Sequence, residues 1–354
     1  MSNTFKCVIL SRVMNMAFDG IVLSRVTELL NETIVTGRIS KLYQISKYEL
    51  LMTVRAQNEN KKLLVSIHPM YARVQLTQLN YPTPDFPNAL TMFLRKHIEG
   101  SFIERIEQVV LDRILKITLR GRNEFKDLVE YHLYMEIMGK HSNFILTNKE
   151  DKILECLKRV SPSDSIRIMQ PGITYSYPPL LEKKNPFENR PETTNLVKEF
   201  EGFSKDLAEE IASRMEQGED FKTIMNEIKE SKELYITRDD KEKYHVIPLH
   251  CFGKKIDQYS LFDGLDAYYQ FIDQKDRIKQ QTSDILHFIQ KEYTKNVNKL
   301  DKLEKTLFDS HNSDEYRIKG DLLYASLHLI QKGMKEVTVD NYYDGTKMTI
   351  DLDE

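Results

Sequence analysis

Two runs of alternating residues, RISKLYQISKYELLMTVRA (38–56) and KKLLVSIHPMYARVQLTQ (61–78), restrict the possible folds of this chain more than any other feature. Alternation of apolar and polar side chains puts one set on each face of a pleated strand, whereas a helix would scatter them around its circumference. The turn-forming Gln57-Asn58-Glu59-Asn60 between the runs makes antiparallel pairing the expectation. Pro69 has no N–H to give a ladder and should sit at an edge or a turn. Further strands are expected at 102–109, 114–119, 128–138 and 143–147, and over 234–248, which would pair back onto the first domain.

Helical rhythm interrupts these strands. Ile21, Leu23, Val26, Leu29 and Leu30 recur at helical spacing ahead of Gly37. Residues 81–87, YPTPDFP, hold three prolines and form an extended connector. Leu90, Phe93, Leu94 and Ile98 then mark the buried side of a helix that Gly100 ends. Residues 194–218 read as two amphipathic helices joined at Glu201-Gly202-Phe203-Ser204. Leu286, Tyr293, Leu300 and Leu307 recur every seven residues, with Ile289 and Leu303 at complementary positions and Asn296 breaking the seam. That pattern describes a coiled coil, either exposed, swapped or dimeric. Near the end, a helix DLLYASLHLIQKG precedes strands VTVDNYY and KMTIDL around Asp344-Gly345, a hairpin signal.

With 354 residues, two or three compact units are expected. A net charge of −3 argues against a uniformly basic nucleic-acid binder, although acidic helices can mask a local basic face. Cys7, Cys156 and Cys251 are odd in number and far apart, without metal-ligand spacing, which points to a reducing, cytoplasmic setting and no metal or cofactor. The apolar run 7–10 is too short for a signal-peptide core, and no stretch approaches the roughly 20 apolar residues of a membrane span.

Candidate binding residues gather in the stretch 90–119 and just beyond it. Arg95, Lys96 and His97 are consecutive on a helix, where neighbours are about 100° apart, so two of the three share a surface. Asp112 and Arg113 stand side by side at a strand entrance, as a local ion pair or as a ligand contact. Lys140 and His141 lie in the turn Gly139-Lys140-His141-Ser142. His141 has no evident Ser or Cys nucleophile with a third orienting residue, so a surface or capping role is preferred over catalysis. No catalytic residues are assigned.

Six blocks, FDGIVL, LLVSIHPMYARVQLT, MFLRKHIEG, LDRI, EIMGKHSNFILT and QPGITYSYPP, occur in an order and spacing that resembles the NFACT family. The resemblance runs over nearly the whole chain from Met16 onward. It implies an α+β fold: an antiparallel β-rich N-terminal domain of glycosylase-like architecture (16–180), an inserted helix-hairpin-helix domain (181–231), and strands returning to the first domain (232–262). A coiled-coil helix (263–312) and the start of a middle domain (313–354) would follow. Residues 1–15 look like an extension or a mis-set start, and a C-terminal RNA-binding domain of the family would lie beyond Glu354.

The family's implied function is ribosome quality control: binding a large ribosomal subunit that holds peptidyl-tRNA and recruiting alanyl-tRNA for template-free alanine tailing. By that resemblance Asp112-Arg113 matches the required Asp-Arg pair and Asp19 the aspartate near the N-terminus, with Arg95, Lys96, His97, Lys140 and His141 as positional candidates on the same tRNA-binding face. Peptide transfer would belong to the ribosome, so no enzyme is expected. In the hairpin, Ser204 replaces the second glycine of the helix-hairpin-helix consensus and acidic residues follow, so packing is favoured over phosphate contact there.

Two other functions compete. A glycosylase would use an N-terminal proline amine, but residue 2 is Ser and residue 17 is Ala, and no zinc finger is present. An adhesin for fibronectin or fibrinogen, the activity in the older family name, is secondary without a recognisable signal peptide or wall anchor.

Overall fold

The computed structural model describes residues 18–352 other than 124, 164, 166, 180, 181 and 239–241, and side chains other than those of 276, 277, 279–281, 284, 311 and 312. The proposed extension 1–15 lies outside the described residues. Compact units span Met1–Gln274 and Lys275–Glu354.

In the first unit, α1 (Gly20–Ile34) buries Ile21, Val22, Leu23, Val26, Leu30 and Ile34, an apolar set too broad for one exposed-face helix. The alternating runs fold as β1 (Arg38–Ser46), β2 (Glu49–Ala56), β3 (Glu59–Ser66) and β4 (Arg73–Thr77). Pro69 falls between β3 and β4, outside the ladder. The proline-rich connector leads to α2 (Ala89–Ile98), capped by the Asn88 side chain, which accepts from Thr91 N–H at 2.8 Å. Next come β5 (Phe102–Gln108), β6 (Ile114–Arg122), β7 (Leu128–Glu136), β8 (Asn143–Asn148) and β9 (Ile153–Cys156). All nine strands form one antiparallel sheet, ordered β4-β3-β2-β1-β5-β6-β7-β8-β9. Its two halves meet at the Arg38–Phe102 pair, flanked by Ile39 N–H to Ser101 O at 2.9 Å and Ile103 N–H to Gly37 O at 2.8 Å.

One face of the sheet shares the main core with both helices, through Leu42, Val54, Leu63, Leu115, Ile117, Leu133 and Leu146. The opposite face of β6–β9 buries a smaller cluster, Ile114, Tyr134, Ile145, Ile153 and Cys156, under Met169 and Tyr175. Residues 167–177 therefore fold back over the sheet. Tyr175 stacks on Tyr134 at 4.0 Å, and Arg167 holds Glu136 through Nη1 at 2.8 Å.

A helical layer follows: α3 (Leu196–Glu199), α4 (Lys205–Glu216) and α5 (Phe221–Glu230). The strands expected over 234–248 form, but they do not join the large sheet. β10 (Glu233–Thr237), β11 (Lys243–His245) and β12 (Ile256–Ser260) make a separate three-stranded sheet ordered β11-β10-β12. They return to the first domain by packing instead, since Leu234, Ile236, Tyr244 and Val246 belong to its main core.

The long helix α6 runs from Leu261 to Ala325, absorbing the start of the separate helix expected near 321–333. Its first turns are clamped to β4. Buried Arg73 pairs with Asp273 and lies 4.0 Å over the Tyr269 ring, and Asp266 accepts from Gln75 Nε2 (2.6 Å), Thr77 Oγ1 (2.7 Å) and Gln78 N–H (2.9 Å). In the second unit the heptad positions Leu286, Tyr293, Leu300 and Leu307 are exposed. β13 (Glu336–Asp340) and β14 (Lys347–Asp351) form the expected hairpin, with Val337, Val339 and Ile350 packed against Leu322.

Candidate nucleic-acid interface

Three elements converge around Asp19. Its carboxylate caps α1 through Val22 N–H at 2.9 Å, accepts Ser204 N–H at 3.1 Å from the turn before α4, and meets His245 Nε2 of β11 at 3.2 Å. Burial opposes its ionisation, yet the His245 charge and the bonds from His245, Ser204 and Val22 hold the carboxyl below its usual range. Gly20 and Gly202 let these elements touch. A Cβ on Gly20 would lie 2.0 Å from Leu111 O, and Gly202, at φ +75°, sends its carbonyl to Gly20 N–H at 3.1 Å.

Asp112 and Arg113 occupy the turn between β5 and β6, packed on this junction. Gln108 Nε2 ties the turn down by donating to Gly20 O (2.8 Å) and Asp112 O (2.9 Å), and Ile137 N–H donates to Arg113 O at 2.8 Å. Both side chains are half-buried. The Asp112 carboxylate accepts its neighbour's backbone N–H at 2.7 Å and forms no ion pair among the described residues, so the adjacent pair is not a local salt bridge.

Beside Asp112 lies a cleft of about 190 Å³, walled by Val110, Met138, Pro178 and Pro179 and closed by Lys183, Glu201 and Gly202. Burial pushes the Glu201 carboxyl up, against a bond from the Leu111 backbone, and the Asp112 charge adds to the rise. One Glu201 oxygen is buried without a partner. Sequence reading singled out neither Glu201 nor Lys183. The glycine of Glu201-Gly202 was the available signal, because a left-handed residue there marks a close approach.

The other candidates separate into two groups. Lys140 and His141 are exposed on the short 3-10 turn Gly139–His141, next to Met138 of the cleft wall. Arg95 and His97 are engaged on α2. Arg95 donates to Leu42 O at 2.9 Å and lies 4.7 Å over Tyr43, while His97 Nδ1 meets Phe93 O at 2.8 Å and its ring stacks on Phe93. Lys96 is exposed between them. At the helical hairpin, Ser204 caps α4 by accepting Leu207 N–H at 3.3 Å while its own N–H is taken by Asp19.

The family described as NFACT N-terminal and middle domains matches residues 19–354. Rqc2 homolog RqcH of Bacillus subtilis (strain 168) is 38% identical over 361 residues, covering 95% of this chain and 63% of that protein. Rqc2 homolog RqcH of Streptococcus pneumoniae serotype 2 (strain D39 / NCTC 7466) is 36% identical over 355 residues, covering 96% and 63%. The chain thus spans 63% of the length of these curated relatives. Among solved structures, the N-terminal part of the fibronectin/fibrinogen-binding protein from Streptococcus suis superposes with a TM-score of 0.65 at 35% identity, over 72% of this chain and 99% of that one. The fibrinogen-binding protein from Staphylococcus aureus gives 0.63 at 32% identity, over 72% and 99%. No helix among the described residues is long and apolar enough to cross a membrane. With the family matched from Asp19 to the last residue and relatives above 35% identity across nearly the whole chain, the chain belongs to the NFACT family.

Proposed function

We propose that this chain is the tRNA-gripping region of a cytoplasmic ribosome quality-control factor, which binds a large ribosomal subunit holding peptidyl-tRNA and recruits alanyl-tRNA for template-free alanine tailing. The relatives named Rqc2 homolog RqcH support the class. The observation that carries the site is the presentation of Asp112 and Arg113 on a turn braced at both backbone carbonyls, beside an open cleft. A guanidinium matches phosphate geometry and a carboxylate accepts from exocyclic amino and imino groups of unpaired bases, so this pair suits an RNA loop. Lys140 and His141 extend the same contact, and Arg95, Lys96 and His97 are the candidates from α2. Asp19 serves by fixing the junction under the turn. The α3–α4 hairpin is read as a helix-hairpin-helix-like brace, with its Ser204 N–H bonded to Asp19 and not offered to phosphate. The role is non-catalytic, with peptide transfer on the ribosome.

A second reading follows from the structural relatives named for fibronectin and fibrinogen binding. Affinity capture of the tagged protein from cells tests the two together. Large-subunit proteins and tRNA should be recovered; a ribosome-free protein that holds fibronectin or fibrinogen tightly would overturn the first reading.

A further inference from the structure

A cationic cluster stands apart from the Asp112 turn. Lys47 and Tyr48 form the turn between β1 and β2, and Lys158 follows β9 at the far end of the strand order. Lys158 nevertheless reaches the β3–β4 connection, donating from Nζ to Ile67 O at 3.1 Å. Both ammonium groups lie 5.3 Å from the centroid of the same Tyr48 ring. His68 meets that ring edge-on at 5.4 Å and stacks flat on Tyr71 at 4.1 Å.

Two like charges gathered on one ring repel. Partial burial and the Lys47 charge hold the Lys158 ammonium below the usual lysine range. Neither lysine has a carboxylate partner among the described residues, in a chain whose net charge is −3. The arrangement is also held firmly. Ile67 N–H donates to Tyr48 O at 2.8 Å, and the Asn143 side chain brackets Lys158 by accepting its N–H (2.9 Å) and donating to its carbonyl (2.8 Å). Unpaired cations on a bonded frame over aromatic rings suit an anion carried on a chain with stackable groups.

The cluster connects to the Asp112 cleft through one short stretch of chain, residues 138–143. Asn143 opens β8 directly after Gly139, exposed Lys140 and His141, and Ser142, and Met138 at the head of that turn walls the cleft beside Asp112. We propose that Lys47 and Lys158, converging on Tyr48, bind the phosphodiester backbone of the same RNA whose loop meets Asp112 and Arg113. The inference rests on the tRNA reading and adds to it a second, sequence-independent contact.

The test is the affinity of the full chain for an unmodified tRNA transcript, read by fluorescence anisotropy at several salt concentrations. Lys47→Glu and Lys158→Met should each weaken binding by about threefold to tenfold and reduce the slope of log K against log salt by about one, the contribution of one phosphate contact. Lys158→Arg should retain binding. Lys47 is exposed, so its variant should melt as the parent does. Binding and slope unchanged in Lys47→Glu and Lys158→Met would overturn the proposal. So would polyglutamate binding that is lost in the lysine variants while their tRNA affinity stays at the parent's, which would assign the cluster to acidic peptides. If Asp112→Ala/Arg113→Ala binds normally while the lysine variants fail, the Asp112 assignment falls and this one stands. A parent chain that binds no tRNA overturns both.

Discussion

Around Asp19 the chain turns inward: one carboxylate receives donors from α1, from the turn before α4 and from β11, and is buried. Across the Gly20–Leu111 contact, the turn carrying Asp112 and Arg113 does the reverse. Its backbone is tied down by Gln108 and Ile137 while both side chains stay half-buried and Asp112 lines a cleft. Two aspartates that the family resemblance treats alike therefore have opposite physical fates. The buried acid is committed to holding elements together, and that commitment leaves the second acid on a surface that need not rearrange to meet a ligand.

Perturbing the junction from the inside should have the largest effect. Gly20→Ala forces a Cβ to within 2.0 Å of a backbone oxygen, so α1 or the turn must shift. Urea unfolding should register a loss above about 4 kcal/mol. Asp19→Ala leaves His245 buried without its carboxylate and removes the α1 cap; a loss of about 3–5 kcal/mol is expected by the same measurement. A loss below about 1 kcal/mol for Asp19→Ala would erase the contrast between the two aspartates.

Acid titration sharpens the comparison with a smaller effect. The folded-state value of Asp19 lies below the ordinary 3.8, so its stabilisation is present above 3.8 and is lost as pH falls through the folded value. Glu201 has the opposite sign. Its folded value lies above the ordinary 4.5, so its ionisation penalty is present at neutral pH and is relieved as pH falls through the folded value toward 4.5. Stability measured against pH should rise slightly on mild acidification and then fall, and Glu201→Gln should remove the rise. The smallest stability effect belongs to Asp112→Ala, which removes one bond to a neighbouring N–H and should cost about 1 kcal/mol or less by urea unfolding.

Much of the large sheet was legible because alternation fixes both strand character and the buried face, as in Leu42, Val54 and Leu63. Alternation does not name a strand's partner, which is why 233–260 paired within itself and reached the first domain through its core instead. The turn position of Asp112 and Arg113 followed from flanking strands close in sequence. The Asp19 bonds did not, because Ser204 and His245 lie 185 and 226 residues away. Glu201 entered the site for the same reason, brought there by the Gly20–Gly202 contact and not by any local pattern. The heptad seam was plain in sequence since it is local, whereas its covering surface is not encoded in the seam itself.

The most direct test of the account is tRNA binding by the Asp112→Ala/Arg113→Ala double variant, with its melting curve measured on the same preparation. At least a tenfold loss of tRNA affinity is expected, with a melting temperature close to that of the parent. Parent-like tRNA affinity would contradict the assignment of the pair, and a collapsed melting curve would mean that the pair serves the fold.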